Sequence, residues 1–195
     1  LTSSDASSED CLIMPFDLRC EYQPNPLGID AGQPRLSWKL KTVGDARNQV
    51  QSAYRIRVAT SIALLLGDEA DLWDTGRIDS NQQLHVEYGG EMLKSGERSY
   101  WHVDVWDSEG LKSESNKVSW WEMGLLSVSD RNASWISDGK SVPEKDEDFY
   151  TDDPAPLFRR SFRIAKPIKR ARLYATALGY HEFFRILTEP KNALL

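Results

Sequence analysis

Short runs of apolar–polar alternation recur along the chain, each closed by Gly, Pro, Asn or Asp. Alternation with a period of two is the signature of a strand with one face buried. Residues 16–22 predict a first strand, ended by Pro24, Asn25, Pro26 and Gly28, because Pro lacks the donor that a ladder needs. Residues 35–40 predict the next, with Leu36, Trp38 and Leu40 on one face. In 53–59, Tyr54, Ile56 and Val58 point inward and Arg55 and Arg57 outward. Ser61 is placed to cap a helix of one or two turns that Gly67 stops. Residues 71–76 are short and extended, and 84–88 alternate again before Gly89-Gly90.

The strongest strand is 99–107, between turn signals at 93–96 and 107–110. Trp101, Val103 and Val105 form its core face. Tyr100, His102, Asp104 and Trp106 form an opposite face that reads as half-exposed. A last strand, 117–123, closes a hairpin with it. About seven short strands at this spacing, with almost no helix, predict an all-β protein built on a sandwich.

After residue 123 the pattern changes. Residues 1–12 read as a disordered tether, 13–126 as the sandwich, 127–156 as an acidic linker and 157–195 as a second β segment. The linker carries Glu144, Asp146, Glu147, Asp148, Asp152 and Asp153, and the charge then reverses in Arg159, Arg160, Arg163, Lys166, Lys169, Arg170 and Arg172. Strands are expected over 157–164, 171–177 and 181–186, too few to bury a sandwich core. The second module is therefore expected to be truncated, docked on the first or paired with another chain.

Composition narrows the chemistry. A net charge of -6 argues against nucleic acid as the main partner, which calls for a basic surface. No run approaches the ~18 apolar residues of a membrane span. Cys11 and Cys20 are the only cysteines, read as free thiols rather than a disulfide framework. Seven Trp residues raise two readings: large core side chains, or indole platforms for sugar rings, with Trp106, Tyr100 and Trp73 as the candidates. Glycoside hydrolysis needs two carboxylates at a set separation, and Asp104 and Asp107 qualify only by lying among aromatics. His85, His102 and His181 have no partner at zinc-ligand spacing. No phosphate loop or nucleophile elbow is present, and no cofactor is implied.

An ordered set of segments resembles the N-terminal region of bacterial α-L-rhamnosidases. It comprises residues 18–22, 25–30, 34–38, 51–59, 72–76, 100–107 and 120–126, with Trp135-Ile136 at its end. The resemblance implies a fibronectin type III-like sandwich over about 16–137, followed at 158–180 by the start of a jelly-roll-like accessory module. It also implies that the catalytic acids lie in a separate (α/α)6 barrel, which none of these 195 residues matches, so no catalytic residue is carried over. The expectation is a non-catalytic accessory segment of a glycoside hydrolase acting on terminal rhamnose. Its expected partners are the rest of that enzyme, or a second copy through the C-terminal strands. Alternatively the chain is a free-standing module that binds rhamnose-containing glycans or pairs strands. The expected location is periplasmic or extracellular.

Overall fold

The computed structural model describes residues 11–44, 47–141, 143–147, 154–163, 165, 167–168 and 170–184. The chain divides into two units, Leu1–Ser134 and Trp135–Leu195.

The first unit is a two-sheet sandwich. One sheet has the order β1 (Ile13–Cys20), β3 (Arg35–Thr42), β7 (Val86–Glu87), all antiparallel. The other runs β2 (Leu27–Ile29), β10 (Ser119–Met123), β8 (Arg98–Trp106), β4 (Ala53–Ala59), β5 (Trp73–Asp74). Two short strands join it: β6 (Ile78–Asp79) on β4 and β9 (Lys112–Glu114) on β8. Among the described residues only the β2–β10 pair is parallel. The predicted hairpin partners, β8 and β10, pair with Trp101 opposite Ser119 and Ser99 opposite Trp121.

The core follows the predicted alternation. Leu36 and Trp38 from the first sheet meet Ile56, Val58, Trp101, Val103, Val105 and Trp121 from the second, all at most 1% exposed. Trp38 donates its Nε1–H to Gln51 Oε1 at 3.0 Å, so the indole is buried without losing a hydrogen bond. Edge-on contacts link Trp38 to Tyr54 at 5.3 Å and Tyr88 to Trp121 at 5.7 Å. Gly90 is required by close approach: a Cβ there would lie 2.5 Å from Tyr88 Oη and 2.6 Å from Trp73 Cβ.

Local departures have local causes. β1 begins earlier than expected and kinks at Asp17, whose φ of 48° accompanies the register shift between Phe16 and Arg19. The expected strand at 84–88 shrinks to Val86–Glu87 because His85 has φ 56°, outside the extended region. The short helix α1 (Ile62–Leu66) forms as predicted, with Ser61 Oγ accepting from the Leu64 N–H. Leu12 is pinned: its N–H reaches Asp107 Oδ2 at 3.3 Å and its carbonyl accepts from Val43. The rest of the expected tether, 1–10, lies outside the described residues.

One expectation about β8 is corrected. Its outer face is not half-exposed at the centre: His102 is 7% exposed and Asp104 0%. Helix α1 packs over β4 and β8, and β9 adds a strand beside β8, so side chains aimed away from the core meet a second covering layer.

In the second unit, no strand forms among the described residues, and the expected strands at 157–164, 171–177 and 181–184 are not made there. Residues 185 and 186 lie outside the described set. Leu157, Phe162, Leu173 and Phe184 are exposed. A strand is stable only when a neighbour takes its N–H and C=O groups, so an alternating sequence without a paired sheet does not specify one. The acidic residues Asp138, Glu144, Asp146 and Glu147 are part of the described linker; Asp148, Asp152 and Asp153 are outside it. At the start of the expected linker, still in the first unit, Ser127 and Asp130 form a capping box around a 3-10 turn at Val128–Asp130, and Ser95 Oγ donates to Asp130.

Candidate functional site

The outer face of the second sheet gathers most of the buried charge. Strand register sets the arrangement. Pairing of β4 with β8 puts Arg55 opposite Asp104 and Arg57 opposite His102, and pairing of β8 with β9 puts Glu114 opposite Asp104. Directly opposed residues share a face, so these side chains converge on one patch.

Asp104 is its centre. Arg57 Nη2 lies 3.3 and 3.4 Å from the two carboxylate oxygens, and Lys112 Nζ lies 3.1 Å from Oδ2. Arg57 also donates through Nη1 to Asp68, and Lys112 pairs with Glu114 at 2.7 Å. Arg55 forms a two-pronged bridge to Asp74 at 2.9 and 2.6 Å. Charges thus alternate in sign across the face, and each buried one has an opposite neighbour, the condition for burying charge at all. The Lys112 ammonium is held above its ordinary value: burial opposes this, but hydrogen bonds to Glu114 and Asp104 outweigh it. Glu114 is lowered by Lys112. His102 is pushed down by burial and by the Arg57 charge, against the pull of Asp104 and Glu114. Its Nε2 lies 3.9 Å from Asp104 Oδ1, too far for a hydrogen bond.

Asp104 and Asp107, the candidate carboxylate pair, have separate structural roles. Asp107 is 1% exposed and turns to backbone: Oδ1 accepts from Glu109 and Leu111 at 3.0 and 2.9 Å, and Oδ2 from Leu12 at 3.3 Å. It fastens the β8–β9 turn to the start of β1. Burial pushes its carboxyl up, but the N–H groups of Leu111, Leu12 and Glu109 outweigh that and hold it below the usual range.

The three aromatic candidates do not make one platform. Trp73 is opposite Val58 and packs on the core, whereas Tyr100 is opposite Ala59 and Trp120 on the outer face. Trp106 lies at the far end of β8 from Tyr100, about 20 Å away at ~3.3 Å per residue. Its ring is approached by the Arg77 guanidinium at 5.1 Å and by Lys112 Nζ at 5.9 Å. His85 stacks edge-on with Tyr22 at 5.5 Å, and His181 lies in the second unit with Nδ1 3.0 Å from the Gly179 carbonyl. Among the described residues no three His, Cys, Asp or Glu side chains cluster as a metal site would need. Cys11 and Cys20 are free thiols, and burial pushes Cys20 up to about 12.

Sequence reasoning missed Arg57, Asp68, Lys112 and Glu114. The available signal was the outward Arg55/Arg57 pair in one strand and the outward His102/Asp104 pair in another, which antiparallel register brings face to face.

The comparisons with known proteins bear on the same unit. Residues 15–127 match the family described as the Rha78A-like, N-terminal immunoglobulin domain. An α-L-rhamnosidase of Streptomyces avermitilis is 45% identical over 117 residues, covering 60% of this chain and 11% of the relative. An α-L-rhamnosidase of Formosa agariphila is 33% identical over 174 residues, covering 82% of this chain and 18% of the relative. The crystal structure of the Streptomyces avermitilis α-L-rhamnosidase complexed with L-rhamnose superposes with a TM-score of 0.59 at 42% identity, over 64% of this chain and 12% of that one. That of the α-L-rhamnosidase from Dictyoglumus thermophilum gives 0.60 at 36% identity, over 64% and 14%. The chain therefore spans between about a tenth and a fifth of the length of these relatives. From the predicted sandwich, its register and the match over residues 15–127, the chain belongs to the Rha78A-like N-terminal immunoglobulin domain family.

Proposed function

We propose that this chain is the non-catalytic N-terminal accessory part of an α-L-rhamnosidase. The observation that carries the reading is the pairing of a matched immunoglobulin domain with coverage of only 11% and 18% of two α-L-rhamnosidases. The site chemistry supports it. A glycosidase needs one carboxyl group poised as an acid and another as a base or nucleophile. Here Asp104 is locked between Arg57 and Lys112, and Asp107 is consumed by three backbone donors. The test is hydrolysis of an aryl α-L-rhamnoside by the purified 195-residue chain. Release of the aryl alcohol at the rate of a buffer blank is expected; turnover that copurifies with the chain would overturn the proposal.

A second reading concerns residues 157–184, where Leu157, Leu178 and Tyr180 are over 90% exposed. Apolar strand-forming sequence left uncovered recruits a partner. We infer that the rest of an α-L-rhamnosidase covers it. Light scattering of the chain mixed with a separately purified remainder of an α-L-rhamnosidase is expected to show a complex, and no association between the two at any concentration would remove this reading.

A further inference from the structure

A cavity of about 400 Å³ opens on the outer face of the second sheet, bordered by the ion-pair network. Leu65 and Leu66 of α1, Asn116 and Val118 line it, with the buried Arg57 and His102 as its floor. The floor residues are 3% and 7% exposed. Arg57 Nε and His102 Nε2 are buried with no hydrogen-bond partner among the described residues. A buried polar group left unpaired costs folding free energy, so a ligand oxygen that reached either nitrogen would be stabilised there.

The charges define what fits. Arg57, Lys112 and Lys117 border the cavity together with Asp68 and Glu114, and Asp104 lies beneath. With His102 neutral these groups sum to zero, so neither an anion nor a cation meets a net attractive field. Closely spaced donors and acceptors of both kinds instead match hydroxyl groups, each of which donates and accepts. The strip of Leu65, Leu66 and Val118 suits the C–H face of a small ring. The volume lies in the range of small-molecule sites. We propose that this cavity binds a neutral polyol of monosaccharide size, with Arg57 and His102 at its base.

Asp68 supplies the entry step. It is 68% exposed at the side chain and has φ 59°, the left-handed region that non-glycine residues rarely occupy. It caps Arg57 Nη1 from the rim. A ligand hydroxyl takes that position on the guanidinium, and the displaced carboxylate accepts from the neighbouring hydroxyl of the same ligand. This site shares no residue with Trp106, Tyr100 or Trp73. It does not rest on the accessory role proposed above: absence of binding leaves that role intact, and turnover of a rhamnoside would not create binding here.

The test is amide chemical-shift titration of the ¹⁵N-labelled full chain with L-rhamnose, D-glucose and myo-inositol, and with glucuronate and inorganic phosphate as charged probes. Saturable shifts at residues 65–68, 102 and 116–118 are expected with at least one neutral polyol, and weaker binding of both anions. Leu66→Asp, at an 79% exposed position, is expected to weaken binding at least fivefold while leaving the remaining spectrum unchanged. Linear, non-saturating shifts, shifts centred on Trp106, equal or tighter binding of an anion, or unchanged affinity in Leu66→Asp would each overturn the proposal.

Discussion

Replacing Asp104 by Leu is expected to destabilise the sandwich by about 3 kcal/mol, the lower end of the ~3–5 kcal/mol range for breaking a buried ion pair. The carboxylate is 0% exposed, so its loss takes a counter-charge from the buried Arg57 guanidinium. Two features set the value at the low end. Arg57 keeps Asp68 and Lys112 keeps Glu114, so neither cation is stranded. The Arg57–Asp104 separations of 3.3 and 3.4 Å also exceed those of a strong charge-assisted hydrogen bond. Arg57→Met removes the partner, and the double variant replaces both charges with apolar side chains. It is expected to be more stable than the sum of the single losses predicts, by about 1–3 kcal/mol. Urea denaturation followed by Trp fluorescence reads this directly, because Trp101 and Trp121 are fully buried reporters. Domains of this kind have about 5–15 kcal/mol in total, so the single variants remain folded in water. A loss under about 1 kcal/mol for Asp104→Leu, the size of an exposed pair, would refute the reasoning. So would additivity of the two substitutions within about 0.5 kcal/mol.

Three further outcomes follow from the same structure. Asp107→Ala frees three backbone donors at the β8–β9 turn and is expected to cost about 2 kcal/mol by chemical denaturation. Because the folded-state value of Asp107 is depressed, its contribution is present above about pH 4, the unfolded carboxyl value, and is lost as pH falls through the folded value. Asp107→Asn should therefore flatten the stability curve over that acid range, and an unchanged slope would contradict the assignment. His102 faces Arg57, Asp104, Glu114 and Lys112, and its folded value is also depressed. Its neutral form is native, so stability is full above about pH 6.5 and falls below it as the unfolded chain takes up the proton. His102→Gln is expected to remove that slope between pH 7 and the folded value, measured as melting temperature against pH. Finally, Cys20 is buried with its thiol pushed up to about 12, so iodoacetamide at mildly alkaline pH should leave it unlabelled until denaturant is added. Prompt labelling in the native state, or a disulfide with Cys11 by mass, would show the packing around β1 to be wrong.

Much of the sandwich was legible because period-two alternation reports which side of a strand is buried. Trp101, Val103 and Val105 on β8, and Tyr54, Ile56 and Val58 on β4, point inward as the pattern requires. The short helix after Ser61 was legible from its cap and its Gly stop. What alternation does not report is what lies over the other side. Polar residues at outward positions read as solvated, yet His102 and Asp104 are covered, because α1 and β9 arrive from distant points in the chain. The candidate site was illegible for the same reason: Arg57, Asp104 and Lys112 meet only once two strand registers are fixed. Trp106 shows what composition does not report, the Arg77 and Lys112 side chains beside its ring. After residue 157 a strand-like sequence has no sheet among the described residues to join.

The central claim, that Asp104 and Asp107 are structural and the chain non-catalytic, is tested most directly by one pair of rates. Cleavage of an aryl α-L-rhamnoside is followed over a pH series for the purified chain and for Asp104→Asn prepared identically. Both are expected to match the buffer blank at every pH, with Asp104→Asn differing from the parent chain only in stability. A bell-shaped rate in the parent chain that disappears in a folded Asp104→Asn variant would contradict the claim and make Asp104 a catalytic residue.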